Sequence, residues 1–259
     1  MACIGGVAKS HEFWIDPVSH EVEKNIPVEA HLRVGTEFEG SSLSYIPQNF
    51  RRFEYALDGA LVDVPGVIGD RPALRLDPDG EGLLLVVHET TDQFITWDDF
   101  ADFKAFVEHK DAEWVLETHA AMGLAEDGTR EVYSRYAKSL IAVGNGGGAD
   151  RVAGLLVEIV ALENPYTGEI GDGFDVQVLY QGAPRSNEQL EVFEKSPEGE
   201  VRVFTLRTDE EGKATVPVVA GNRYMLDSVV VRAPEKALAE ERDVQWESLW
   251  ANLTFAVPE

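Results

Sequence analysis

The chain has 259 residues, with 47 acidic against 22 basic side chains and a formal net charge of −25. A surface this negative repels phosphate backbones and anionic lipid headgroups, so nucleic acid and membrane surfaces fall away as partners. Hydrophobic residues make up 44% of the chain, enough for a proper core, so wholesale disorder is excluded.

The opening stretch, Met1 to Ser10, is small and weakly apolar, then polar. Ala8-Lys9-Ser10 places small residues at the −3 and −1 positions of a signal-peptidase site. Residues 1–10 therefore read as the remnant of a signal peptide, with His11 as the mature N-terminus and the protein exported to the periplasm or beyond. The one cysteine, Cys3, lies inside that remnant, which leaves no disulfide, thiolate ligand or cysteine nucleophile in the mature chain. Downstream, nothing approaches the ~20 apolar residues of a transmembrane helix.

Residues 11–95 read as strands and turns. Val28, Ala30, Leu32 and Val34 alternate with Glu29, His31 and Arg33, a half-buried strand. Asp58-Gly59 is a hairpin turn signal between Arg52–Leu57 and Leu61–Val64. Leu83–Val87 is a continuous apolar run, as in a central strand. At about 96–123 the period changes to that of a helical hairpin. Thr96 is the expected cap, Phe100, Phe103, Phe106 and Val107 share a face, and Trp114, Val115 and Leu116 serve as core positions of the second helix. Gly123 is a good stop. Tyr133–Val143 fits helix or strand, and Leu155–Leu162 is a buried strand.

Pro, Gly and charge over Pro165–Gly173 mark a domain boundary. Beyond it come short, evenly spaced strands: Asp175–Tyr180, Gln189–Glu194, Val201–Thr208, Ala214–Val218, Tyr224–Arg232 and Leu253–Val257. Residues 233–245 read as a solvated loop or short helix, and Trp246 and Trp250 as neighbours on one helical turn. The expected fold is thus mainly β. It has two β-sandwich domains of immunoglobulin or transthyretin type, at 11–164 and 174–259, with the helical pair inserted in or after the first.

Several segments resemble one family: His11-Glu12-Phe13-Trp14, Arg33-Val34-Gly35, Arg135-Tyr136-Ala137-Lys138-Ser139-Leu140, Asn164-Pro165-Tyr166, Thr208-Asp209 with Gly212, and Trp246-Glu247-Ser248-Leu249-Trp250-Ala251 leading to Leu253-Thr254-Phe255. Together they resemble the domain of unknown function 4198 family, whose members are associated with periplasmic components of nickel or cobalt ABC-type uptake. The resemblance implies a signal peptide, transthyretin-like sandwiches and a role beside metal uptake, with a membrane transporter component as partner.

His11 is the leading candidate ligand. As an N-terminal residue it offers an α-amine and an imidazole that close a small chelate ring, donors suited to nickel, cobalt or copper. It needs further ligands, and His88, His109 and His119 are the candidates. Each also has a structural reading: His88 as a hydrogen-bonded core histidine, His109 and His119 as residues at helix ends. His20 and His31 read as surface residues. Glu131, Tyr133, Arg135, Tyr136 and Lys138 form a dense polar and aromatic cluster, either a pocket wall or the alternating faces of one strand. No G-x-S-x-G, H-E-x-x-H or G-x-G-x-x-G motif is present, so no enzymatic activity is expected. The alternative function is a metal-independent periplasmic module that binds a permease or an extracellular polymer.

Overall fold

The computed structural model describes residues 12–168, 170–171 and 173–259. Strands β1 (Glu12–Pro17), β2 (Glu21–Val22), β3 (Val28–Thr36) and β4 (Glu39–Leu43) come first. A 3-10 turn over Pro47–Asn49 leads to β5 (Phe50–Ala56), β6 (Val62–Asp63), β7 (Leu74–Leu76), β8 (Gly82–Thr90) and β9 (Gln93–Trp97). Helices α1 (Phe100–His109) and α2 (Trp114–Ala121) precede the long β10 (Thr129–Val143). Then follow β11 (Val157–Ala161), β12 (Phe174–Tyr180), β13 (Ala183–Pro184), β14 (Gln189–Lys195), β15 (Val201–Arg207) and β16 (Lys213–Val216). The chain closes with β17 (Arg223–Arg232), α3 (Lys236–Arg242) and β18 (Trp246–Ala256).

The protein is mainly β, and its strands form three sheets. A ten-stranded sheet runs β15-β14-β17-β18-β10-β8-β5-β6, with β2 and β9 also paired to β10. A smaller sheet, β1-β3-β4 with β7 on β3, and another, β11-β12-β13 with β16 on β12, complete the set. β10 pairs in parallel with β18, so strands from both sides of residues 165–173 share the large sheet. β11 and β12, which flank that segment, pair with each other.

The large sheet is covered on both faces. On one face Phe13, Ile15, Leu32 and Leu74 of the β1 sheet pack on Leu84, Val86, Ala137 and Ile141. On the other, Val157, Ile159, Val176 and Val216 of the β11–β12 sheet pack on Leu83, Leu85, Val87 and Leu140. This explains the unbroken apolar run of β8: a strand buried on both faces has no reason to alternate. The same position settles Tyr133–Val143 as strand, since it lies inside β10 between β18 and β8. Lys138, with its side chain fully buried, is tolerated because Asp150 and Glu158 each meet its Nζ at 2.9 Å.

Three local readings are corrected. Thr96 lies in β9, and α1 is capped by Asp99, whose side chain accepts from the Ala101 N–H at 2.8 Å. Trp246 and Trp250 lie on β18, not on a helical turn. A spacing of four puts two residues on one face in either geometry, so the pattern does not discriminate. The apolar side of α1, with Phe103, Phe106 and Val107, packs with Val115, Trp246 and Trp250. Trp114 is half exposed rather than core.

Candidate functional site

A cleft of about 670 Å³ opens where the β1 sheet meets β5, β8 and β10. β1 contributes Phe13, β3 Leu32 and Val34, and β4 Ser41 and Leu43. Close crossing of β3 and β4 shapes this wall: a Cβ on Gly35 would overlap the Glu39 carbonyl, so only glycine fits there. Phe50, His88, Tyr133 and Arg135 also line it, together with the exposed Arg71. The lining therefore combines aromatic rings, neutral hydrogen-bonding groups and two guanidinium groups.

His88 is 3% exposed. Its ring lies 4.9 Å from Phe13, 5.1 Å from Phe53 and 5.4 Å from Phe50, centroid to centroid. Burial among these rings disfavours the imidazolium and lowers its pKa from 6.5 to about 3. The ring is thus neutral at physiological pH, and its Nδ1 has no hydrogen-bond partner among the described residues. Such an orphan atom costs about 1–3 kcal/mol.

Arg135 lies half-buried in the wall. Its guanidinium sits 4.6 Å from the Tyr133 ring centroid, and its backbone N–H donates to Thr90 Oγ1 at 3.0 Å. Burial lowers its pKa, while Tyr133, Asp227 and Glu12 favour its charge. Arg71 is exposed and donates from Nη2 to Ser44 Oγ at 3.1 Å.

The opposite side of β1 faces a second polar group. Lys110 Nζ donates to Glu191 Oε2 at 2.7 Å and lies 3.5 Å from Asp227 Oδ2. Burial, then repulsion from Asp227, raises the Glu12 carboxyl to about 7. Burial likewise raises Asp227 to about 6, against the pull of Lys110. For Glu191 the attraction of His109 and Lys110 outweighs burial and holds the carboxyl at about 2.

His11 lies outside the described residues. The other three candidate histidines have separate surroundings. His88 lines the cleft. His109 ends α1, largely exposed, with Nε2 3.0 Å from Glu191 Oε1. His119 is buried against Trp246, whose Nε1–H donates to Nδ1 at 3.1 Å, while Nε2 bonds the Ala125 carbonyl at 3.0 Å. An indole N–H only donates, so Nδ1 is the acceptor and Nε2 carries the proton. Both nitrogens of His119 are occupied, and its role is structural. Among the described residues no group of three or more His, Cys, Asp or Glu side chains is placed to hold a metal ion.

Alternation along β10 puts Glu131, Tyr133 and Arg135 on one face and Tyr136 and Lys138 on the other. Tyr133 and Arg135 reach the cleft wall, so both readings of that cluster hold in part. Nearer the start of the strand on the same face, Glu131 accepts from Trp97 Nε1–H at 2.8 Å and from the Ser248 hydroxyl in the core. His20, read as a surface residue, is buried, and burial lowers its pKa to about 4. Arg71 was not marked by any sequence signal; it lies in a connecting segment between β6 and β7.

No curated protein matches the chain. Solved structures that overlap it include a tetra-tandem repeat from the extending region of a large adhesion protein, at 9% identity and a TM-score of 0.21, covering 95% of this chain and 49% of that one. The D0–D1 domain of intimin overlaps at 12% identity and a TM-score of 0.22, covering 95% and 98%. The chain spans about half the length of the adhesion-protein structure. At these scores neither supports an assignment of fold. The family model described as Domain of unknown function (DUF4198) matches residues 8–232. That match runs over most of the chain, and the protein belongs to the DUF4198 family.

Proposed function

We propose that the protein is an exported, non-catalytic binding component that receives a small ligand in the cleft between β1 and the large sheet. One observation carries this reading: a cleft of about 670 Å³ whose wall includes the buried, neutral His88 with an unpartnered Nδ1. Its volume is that of small-molecule sites, and an apolar lining with a few placed polar groups is the usual composition of such sites. The export step is supported by Ala8-Lys9-Ser10. A membrane transporter component or an extracellular polymer is the partner class this role calls for. The packing of the β11–β12 sheet on β14 and β17 supports a transthyretin-like sandwich for the second half, with α1 and α2 as an inserted pair. The test is a thermal-shift panel of organic acids, sugars and amines on wild type and on Ser41→Trp, which adds an indole to the cleft lining. A ligand that raises Tm in wild type alone supports the reading. Equal shifts in both, or none across the panel, sink it.

The second reading is metal binding, as an accessory to nickel, cobalt or copper uptake. Two observations favour it. His88 keeps an unprotonated nitrogen at neutral pH, and Phe13, two residues beyond His11, packs on the His88 ring. The guanidinium groups of Arg71 and Arg135 in the same lining count against a free cation there. Calorimetry with nickel, cobalt, copper and zinc on protein beginning at His11, and on protein carrying Ser10 ahead of it, separates the cases. Tight binding lost in the longer form supports an N-terminal histidine ligand. No binding in either removes the metal reading.

A further inference from the structure

The charges of the cleft set it apart from the rest of the molecule. Of 259 residues 47 are acidic, a proportion that would place two or three carboxylates among fifteen positions. The fifteen residues that line the cleft, all among those described, include no Asp or Glu and two Arg. Nearly all the other arginines are matched with carboxylates: Arg33 with Asp16, Arg52 with Glu54, Arg185 with Glu188, Arg232 with Glu247. Arg71 is an exception. Among the described residues its side chain meets only the Ser44 hydroxyl. Such an uncompensated guanidinium beside an apolar wall is a fork for a planar anion.

We infer that the ligand of this cleft is a small organic anion, a carboxylate carried on an apolar or aromatic body. The inference rests on the binding role proposed above and names the class of its ligand. Arg71 receives the carboxylate, and Arg135 in the same lining adds its positive charge. The body lies against Phe13, Leu32, Val34 and Phe50. Ser41, Asn49 and Gln93 supply neutral hydrogen-bonding groups around it. The overall charge of −25 does not prevent this, because exposed charges more than about 8 Å away are screened at physiological ionic strength. At short range the two guanidinium groups decide. The same arrangement rejects amines, which would meet two positive groups and, among the described residues of the lining, no carboxylate.

The test uses three ligands of one shape: 3-phenylpropionate, 3-phenylpropanamide and 3-phenylpropylamine, with inorganic phosphate as a fourth. Each is titrated into the full-length protein by NMR, on the ring signals of His88 and the guanidinium signals of the arginines. The expected result is that the propionate binds at least tenfold more tightly than the amide, and that the amine does not bind. Arg71→Gln removes most of that tenfold advantage. Arg71 is exposed, so the variant folds. An amide that binds as well as the acid, or an amine that binds best, overturns the anion class and leaves the cleft standing as a binding site. Phosphate binding as tightly as the propionate overturns the organic body. No binding of any of the four overturns the inference and the binding role together.

Discussion

Replacing His88 with Phe removes a buried polar atom from an aromatic cage, and its consequences depend on pH. Among the described residues Nδ1 has no partner, and the rings of Phe13, Phe50 and Phe53 pack around it. Removing the orphan nitrogen gains about 1–3 kcal/mol. The larger ring recovers less than that, since added volume in a packed wall costs about 1–3 kcal/mol. The open cleft beside it keeps this opposing effect at the low end. At pH 8 the variant is therefore more stable by about 1 kcal/mol, or ~3 °C in Tm for a chain of this size. Acid widens the difference. The folded pKa of His88 is about 3, below the ordinary 6.5. The unfolded chain takes a proton as pH falls through 6.5 and the folded one does not, so the wild type loses stability between pH 6.5 and 3. At pH 5 that loss is 1.5 units, or about 2 kcal/mol at 1.36 kcal/mol per unit. Urea unfolding followed by tryptophan fluorescence at pH 8 and pH 5 measures both effects. The variant should lead by about 1 kcal/mol at the first pH and about 3 at the second. A lead that is the same at both pH values, or a variant less stable at both, refutes the account of His88 as a neutral, unsatisfied residue.

Glu131 behaves in the opposite sense. Its folded pKa, raised by burial to about 7, exceeds the ordinary 4.5, so its contribution is full below 4.5 and lost as pH rises through 7. Glu131→Gln should gain on wild type between pH 5 and pH 8 in the same urea assay, and a gap that does not move with pH contradicts this. Lys138→Met leaves Asp150 and Glu158 buried without their cation. A loss of about 3–5 kcal/mol is expected in denaturant unfolding, partly recovered when both carboxylates become amides. His119→Gln disrupts the bonds to Trp246 and Ala125, so Tm falls by an amount worth about 1–3 kcal/mol. Its metal affinity by calorimetry equals that of wild type, and a large drop in affinity would reverse the structural assignment.

The strands were legible in the sequence where one face is wet. β3 alternates, and its buried residues Val28, Ala30 and Leu32 are those the pattern selects. β8 was legible for the opposite reason, as an apolar run flanked by turns. Helix α1 was legible through the spacing of its phenylalanines. What escaped is whatever depends on neighbours distant in sequence. The helix-or-strand question over Tyr133–Val143 is decided by β18, more than a hundred residues further on. His119 carries no sign of Trp246, its partner 127 positions away. The cleft is the extreme case. Its wall is drawn from β1, β3, β4, β5, β8, β9, β10 and the segments between, and of its lining groups Tyr133 and Arg135 belong to the local cluster that the sequence marks. His88 could be read as buried because it shares a face with Leu84 and Val86. Arg71 had no such signal. What marks it is that no carboxylate among the described residues pairs with it, which is visible only in the folded chain.

The most direct test of a ligand site in this cleft is a titration of protein carrying ¹³C-labelled His and Phe side chains with 3-phenylpropionate up to millimolar concentration. The account predicts that the ring signals of His88, Phe13 and Phe50 shift together and saturate, while those of His109 and His119 stay in place. Unmoved His88, Phe13 and Phe50 signals at saturating ligand, or shifts confined to other residues, would contradict it.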